Sequence, residues 1–472
     1  MTVTRRSAPN VLLVVFDTAR ADALEPYGAP HGSTPTVAQL ASRGAAAPAA
    51  FATSSWTVPS HASLFTGLLP GSVGLARGTD ASPTAYAGAM RAHRERTLPA
   101  VLARNGYDTA AVSANLWVSA ESGFDTGFDR FHTVRTDRKA EMGDGSRRGR
   151  LRWAVEALRA RCDDGAAAVE AMLDGWLAAR RDQPFFWFVN LVECHSPYLP
   201  PKPFNDLGPL ARLRAAADVH AHQTFDAFTK ASLGGFDVDD ATLERMHHLY
   251  GQSVSLMDAW LARVLDRLQR PGVLDDTIVV VTSDHGENFG ECRLMGHSFS
   301  LDDRLIRIPM VAAGPAPLDF GPVTSLADIP RLIADAVGVT EHPWTARGDA
   351  GIAVAQLDSI CDPDDEVGHE AIARYGLGPD AHTRMVTPLA CATDGRYKLL
   401  RRGTAEHVFD LHADPLEAGG PVPEAAVDDQ LRARLRAAID AAAEASIAPI
   451  APVPGARDVD DLKQRMELLG YM

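Results

Sequence analysis

Two short segments, far apart in the chain, carry side chains able to hold a divalent cation. Asn10-Val-Leu-Leu-Val-Val-Phe16 is an apolar, β-branched run closed by Asp17-Thr18. Asp276-Thr-Ile-Val-Val-Val-Thr282 is closed by Ser283-Asp284-His285-Gly286-Glu287. Continuous apolar runs of this kind read as buried parallel strands. In open α/β sheets ligands bind outside the carboxyl ends of the strands. Carboxylates at two such ends, with an adjacent imidazole, can therefore converge on one ion. Asp oxygen and His nitrogen favour Zn2+ or Mn2+; an oxygen-rich version suits Ca2+ or Mg2+.

A third segment supplies a nucleophile: Ser55-Trp56-Thr57-Val58-Pro59-Ser60-His61-Ala62-Ser63-Leu64-Phe65-Thr66-Gly67. Pro59 fits an early helical position, which places the Thr57 hydroxyl at a helix N-terminus. Free N–H groups and the helix dipole suit that location to phosphate or sulfate. A free hydroxyl is a weak nucleophile near neutral pH, and a metal ion stabilises its alkoxide.

The elements that must position these groups alternate. Thr97–Gly106 then Thr109–Ser113 reads as helix, turn, strand. Pro184–Val192 is a central strand after a helix ending near Arg181, and Leu249–Leu268 is a helix before the strand of Asp276–Thr282. The expected fold class is α/β: a large, mostly parallel or mixed central sheet flanked by helices, with a smaller C-terminal α+β subdomain. We expect a catalytic domain over 1–340 and the subdomain over 341–472. There, Ala390–Leu400 and His407–Leu411 read as short antiparallel strands and Ala425–Ala445 as a helix. Pro449, Pro452 and Pro454 mark a linker to a terminal helix. Two stretches, 133–161 and 202–240, read as insertions: lids or substrate-contacting caps, with plain surface loop as the default.

Composition narrows the function classes. The 472 residues carry 61 acidic and 46 basic side chains, a formal charge of −15, with 46% hydrophobic residues. That balance opposes nucleic-acid binding and favours an anionic small-molecule substrate only through a local pocket. No apolar run is long enough to span a bilayer, so no membrane insertion is expected. The N-terminus lacks a signal peptide's apolar stretch. Five scattered cysteines (162, 194, 292, 361, 391) fit free thiols and a cytoplasmic location. A homo-oligomer stays open.

Taken together, F-D-T-A-R-A-D, T-V-P-S-H-A-S-L-F-T-G, H-S-P-Y, S-D-H-G-E and G-H-S occur in one order, between about Pro9 and Leu468-Leu469-Gly470-Tyr471. In these motifs the chain resembles the sulfatase branch of the alkaline phosphatase superfamily. Sulfatases have C-x-P-S-R, whose Cys becomes a formylglycine; Thr57 cannot undergo that conversion. The resemblance implies Asp17, Asp284 and His285 as metal ligands, and Thr57 as nucleophile and fourth ligand. Thr18 stands where many sulfatases have a second ligating Asp, and so is at best a weak ligand. His61 replaces the Arg beside the formylglycine; it could bond Thr57, bond a substrate oxygen, or stabilise the loop. His195 matches the histidine on the leaving-group side and could donate a proton there. His297 lies where relatives place a Lys or His against the substrate anion. Arg20 and Asn115 are further substrate-contact candidates, although Arg20 can equally bridge Asp22. An Asp218-Val-His220-Ala-His222 spacing could serve a second metal with His297, but a solvated helix or loop is the favoured reading. Cys194, Asp258 and His247-His248 read as structural.

The expected function is a phosphohydrolase or phosphotransferase dependent on one divalent ion. It would act on a phosphate ester, diester or phosphonate ester of a soluble metabolite through a Thr57 covalent intermediate. The alternatives are a sulfate-ester hydrolase working without formylglycine and a non-catalytic anion-binding scaffold.

Overall fold

The computed structural model describes residues 8–75, 83–134, 147–180, 182–297, 299–345, 351–359, 361, 363–364 and 366–448. The expected linker and terminal helix after Pro449, and residues 135–146 of the first insertion, lie outside the described residues.

In chain order the strands begin β1 (Asn10–Phe16), β2 (Ala45–Ala46), β3 (Ala50–Phe51), β4 (Asp108–Ser113), β5 (Arg130–Thr133) and β6 (Phe185–Leu191). They continue as β7 (Thr277–Thr282), β8 (Asn288–Phe289), β9 (Met295–Gly296), β10 (Arg307–Ile308), β11 (Met310–Ala313) and β12 (Thr324–Ser325). The last four are β13 (Ala353–Leu357), β14 (Leu389–Thr393), β15 (Tyr397–Arg402) and β16 (Ala405–Asp410). The large sheet runs β2-β11-β7-β1-β6-β4-β5. β1 lies between β7 and β6 and is parallel to both, whereas β11 is antiparallel to β7. The sheet is thus mixed, as expected.

Every residue of β1 and β6 is buried, because both faces of the sheet are covered. Val11, Leu13 and Val15 face one core with Phe186, Phe188, Leu64 and Phe65. Leu12, Val14 and Phe16 face the other, with Trp187, Val254, Met257 and Trp260. The register pairs Val15 with Thr282 and Phe16 with Leu191. The chain segments after β1, β7 and β6 therefore emerge side by side at one end of the sheet.

The helix Asp240–Gln269 starts nine residues before the expected Leu249. Asp239 caps it by accepting from Thr242 N at 2.8 Å, so a polar first turn lengthens an element whose apolar stripe begins later. The stretch 202–240, by default a surface loop, instead contains helices Pro209–His222 and Phe225–Lys230. Asp258 on the long helix accepts from Thr36 N and Val37 N, capping the helix Pro35–Arg43. Among the described residues no helix is long and apolar enough to cross a membrane.

The antiparallel sheet β13-β14-β15-β16 is covered on one face by the helix Asp429–Glu444, through Leu435, Ile439 and Ala442. Its other face meets Phe51, Leu301, Leu305 and Ile306. Lys398 on β15 is wholly buried at that junction. Its Nζ donates to Leu301 O at 2.8 Å and to Glu417 Oε1 at 2.5 Å, and the same oxygen accepts from Asp303 N at 2.6 Å. One ion pair thus ties the small sheet to the segment that follows His297. Lys398→Met should lower unfolding free energy by about 3–5 kcal/mol, because it strands a buried carboxylate. Adding Glu417→Gln should recover part of that loss. Denaturant midpoints of the single and double variants check both outcomes.

Candidate active site

Asp17, Asp284 and His285 meet at the carboxyl ends of β1 and β7, and each is fully buried. One ligand atom from each lies within 4.8 Å of the others. Amide donors hold the carboxylates by one oxygen apiece. Asn115 Nδ2 and Asn190 Nδ2 donate to Asp17 Oδ2 at 2.8 and 3.2 Å. Thr18 N and His285 N donate to Asp284 Oδ1 at 3.1 and 2.9 Å. The remaining oxygens, Asp17 Oδ1 and Asp284 Oδ2, are buried without a hydrogen-bond partner. His285 Nδ1–H donates to Gly286 O at 2.9 Å, which leaves the Nε2 lone pair facing Asp284 Oδ2 at 3.4 Å. Two unsatisfied carboxylate oxygens and a free imidazole lone pair fit a divalent cation, since unpaired buried oxygens are otherwise costly.

The turn after β1 is held in an unusual conformation to achieve this. Thr18 has φ +62°, a left-handed value that β-branched residues rarely adopt. Tyr250 OH donates to Thr18 O at 2.9 Å and accepts from Arg20 N at 2.7 Å, clamping the turn from the long helix. The Thr18 hydroxyl donates to Asp17 O at 2.7 Å, so it serves the turn.

Thr57 begins the helix Thr57–Thr66, directly after the extended Trp56, and its Oγ1 lies 3.3 Å from His285 Nε2. The expected position at a helix N-terminus is thereby met. His61, one turn on, donates from Nδ1 to Thr57 O at 3.0 Å. Burial among Phe124 and Phe188 holds its pKa down to about 3, so it is neutral and its 3.4 Å approach to Asp284 Oδ2 is no ion pair. Of the three roles open to His61, the observed bond is the one to the Thr57 backbone.

Two more imidazoles close the site. His195 follows β6, and its Nδ1–H donates to Ser196 O at 2.9 Å. The His297 ring lies 4.4 Å from that of His285 and 5.1 Å from that of His195. Arg20 is committed to ion pairs. Its guanidinium bonds Asp22 and Glu291, both at 2.6 Å, and the Glu287 carbonyl at 3.2 Å. The bridge to Asp22 weighed above is therefore present, and Asn115 faces Asp17. Asp218 pairs with Arg245 at 2.6 Å and His220 packs on Trp153, and the second-metal spacing assembles no ligand cluster among the described residues. Cys194 is buried with its thiol pKa pushed up by desolvation, as suits an inert thiol.

Sequence reasoning overlooked Asn190, Glu287, Tyr198 and Tyr250 as site residues. Asn190 had a signal, being the one polar side chain in the run Phe-Phe-Trp-Phe-Val-Asn-Leu. Glu287 and Tyr198 stood inside recognised motifs without a role. Tyr250 had none, since a helix-face tyrosine is commonly core.

Burial, then the neighbouring Asp284 charge, raises the Asp17 pKa to about 7; burial raises Asp284 to about 6. Below these values a cation must displace a proton, and above them it need not. Mn2+ affinity of the metal-free protein should therefore rise with pH between 5 and 7, by up to about tenfold per proton per pH unit, and level off above. Asp17→Asn should bind more weakly and lose the upper part of that slope. Competition titration with a chelator across pH 5–8 checks both.

The family model described as Sulfatase matches residues 9–318. Over 189 residues the chain is 29% identical to the choline-sulfatase of Rhizobium meliloti (strain 1021), covering 39% of this chain and 34% of that relative. Over 153 residues it is 26% identical to the multifunctional alkaline phosphatase superfamily protein PehA of Trinickia caryophylli, covering 29% and 30%. The chain thus spans about a third of the length of these curated relatives. The phosphonate monoester hydrolase of Agrobacterium radiobacter shares the architecture, with a TM-score of 0.62 at 20% identity over 92% of this chain and 95% of that one. With more than half of its length matched by the family model, the chain belongs to the sulfatase family.

Proposed function

We propose that this protein is a metal-dependent ester hydrolase that forms a covalent intermediate on Thr57 and acts on phosphorus esters. The observation that carries the reading is the Thr57 hydroxyl 3.3 Å from His285 Nε2, at a helix N-terminus and beside two unsatisfied carboxylate oxygens. Asp17, Asp284, His285 and Thr57 would hold one divalent ion, with Mn2+ or Zn2+ favoured over Ca2+ or Mg2+ for this oxygen and nitrogen set. When bound, the ion stabilises the Thr57 alkoxide and offsets charge on the substrate oxygens.

Thr57 Oγ attacks phosphorus in line, forming the P–O(Thr57) bond as the bond to the leaving alcohol breaks. His195 is held by its Nδ1–H bond to Ser196 O, and as an imidazolium it gives its Nε2 proton to the departing oxygen. Water then attacks the phosphothreonine, returning a proton to His195 and freeing Thr57. An acceptor alcohol in place of that water would make the reaction a transfer.

Charge ranks the substrates. Arg20 is committed to Asp22 and Glu291, and His61 is neutral where sulfatases place an Arg. The charge of a dication is more than cancelled by Asp17, Asp284 and a Thr57 alkoxide together, so the ion alone leaves no positive charge over for a dianion. Monoanionic phosphodiesters and phosphonate monoesters should therefore be preferred to dianionic phosphate monoesters. Sulfate esters are the second reading, favoured by the family model and by the similarity to a choline-sulfatase. That reading needs a sulfothreonine hydrolysed directly by water, without the aldehyde hydrate.

The catalytic part is assigned to 1–340 and the subdomain to 341–472, with 133–161 and 202–240 as lids or substrate-contacting caps over a soluble metabolite. Five free thiols agree with a cytoplasmic location. Purified protein loaded with Mn2+ or Zn2+ should hydrolyse aryl phosphodiesters and phosphonate monoesters faster than aryl phosphates or sulfates. Thr57→Ala should lose on the order of 10^3-fold or more, and intact-mass analysis should find a phosphoryl adduct on Thr57. Faster sulfate turnover would move the assignment to the second reading. Turnover that survives Thr57→Ala would overturn the mechanism.

A further inference from the structure

Glu287 is a fully buried carboxylate with no Lys or Arg on its oxygens among the described residues. Arg20 reaches only its backbone carbonyl. Burying a carboxylate is expensive unless it is well bonded, and both oxygens here are spoken for. Oε2 accepts from Tyr198 OH at 2.7 Å, and Oε1 bonds His297 Nδ1 at 3.0 Å. Because a carboxylate only accepts, Nδ1 must carry the proton. That leaves Nε2 as the nitrogen available to a ligand. The His297 side chain is 16% exposed, while Glu287 is sealed behind it.

The same carboxylate joins two loops. Tyr198 lies three residues beyond His195, and its backbone N–H donates to Gln223 Oε1 at 2.9 Å. His297 follows Gly296, which has φ +69° and where an added Cβ would press on the Phe228 ring at 3.0 Å. The backbone is thus held closely, and the hydrogen bond that orients the ring among the described residues is the one from Nδ1 to Glu287.

We infer that Glu287, pinned by Tyr198, is a positioning residue that fixes the His297 imidazole with Nδ1–H inward and Nε2 turned to the substrate's oxygen anion. The inference rests on the proposed function, in which an anionic ester binds at this site. It gives Glu287 no contact with substrate, and its effect passes through His297.

The test is a double-mutant cycle read by anion binding. Isothermal titration of the Mn2+-loaded protein with inorganic phosphate is run on wild type, Glu287→Gln, His297→Ala and the double variant, with the melting temperature of each. Glu287→Gln should weaken phosphate by roughly 10–100-fold in the wild-type background. In the His297→Ala background the same change should alter affinity by less than about threefold, since coupled residues are non-additive. Equal weakening in both backgrounds, or none in wild type, overturns the inference; so does wild-type protein that binds phosphate no better than His297→Ala. Should Glu287→Gln not fold, Tyr198→Phe replaces it: a smaller loss is expected, absent in His297→Ala, and no loss overturns the inference. Phosphate binding needs no turnover. Intact coupling without ester hydrolysis would therefore sink the proposed reaction and leave the Glu287 assignment standing.

Discussion

The parallel pairing of β1 with β7 brings two aspartates to adjacent positions in a dry environment, where neither is comfortable as an anion. Burial raises both pKa values, to about 7 for Asp17 and about 6 for Asp284, and their mutual repulsion adds to the first. The surroundings meet that cost on one side only. Side-chain amides of Asn115 and Asn190 take Asp17 Oδ2, and backbone N–H groups take Asp284 Oδ1. The other two oxygens are left without a hydrogen-bond partner, Asp284 Oδ2 facing the His285 Nε2 lone pair, which also lies 3.3 Å from the Thr57 hydroxyl. A folded protein seldom leaves buried acceptors in this state without a ligand to satisfy them. The left-handed Thr18, the Tyr250 clamp and the helix that begins at Thr57 are all arranged around that pair.

Set against the sulfatase pattern, the replacements in this chain share a direction. Threonine at 57 gives a single hydroxyl in place of an aldehyde hydrate. Threonine at 18 removes a negative ligand, and its hydroxyl bonds the Asp17 carbonyl. Histidine at 61 is neutral in its aromatic shell, so the positive charge of an arginine is lost as well. Loss of an anion and loss of a cation partly compensate.

Much of the architecture was legible in the chain, and for physical reasons. β1, β6 and β7 are apolar, β-branched or aromatic runs because both faces of the central sheet are covered, and that composition reads as strand without ambiguity. Where polar residues build an element, the reading failed. The first turns of the helix Asp240–Gln269 are specified by the Asp239 cap, and the helices within 202–240 show no clean apolar stripe before tertiary packing buries one face. Asp17, Asp284, His285 and Thr57 were visible because they sit where strand ends and a helix start make ligands and anions favourable. Asn190 and Glu287 were not, because their roles depend on partners 173 and 10 residues away.

The sequence by itself determined which chemical groups are available: two strand-end carboxylates with an adjacent imidazole, and a hydroxyl at a helix start. Those follow from local periodicity and residue type, which do not need a partner. Only the tertiary structure decided which atoms remain free. Strand register set Asp17 beside Asp284, and long-range amides left one oxygen bare on each. Arg20 was drawn into ion pairs with Asp22 and Glu291. A hydrogen bond or ion pair is a short-range contact, here between groups as far apart in sequence as Thr18 and Asp284. Its partner is chosen by packing, and no local pattern encodes that choice.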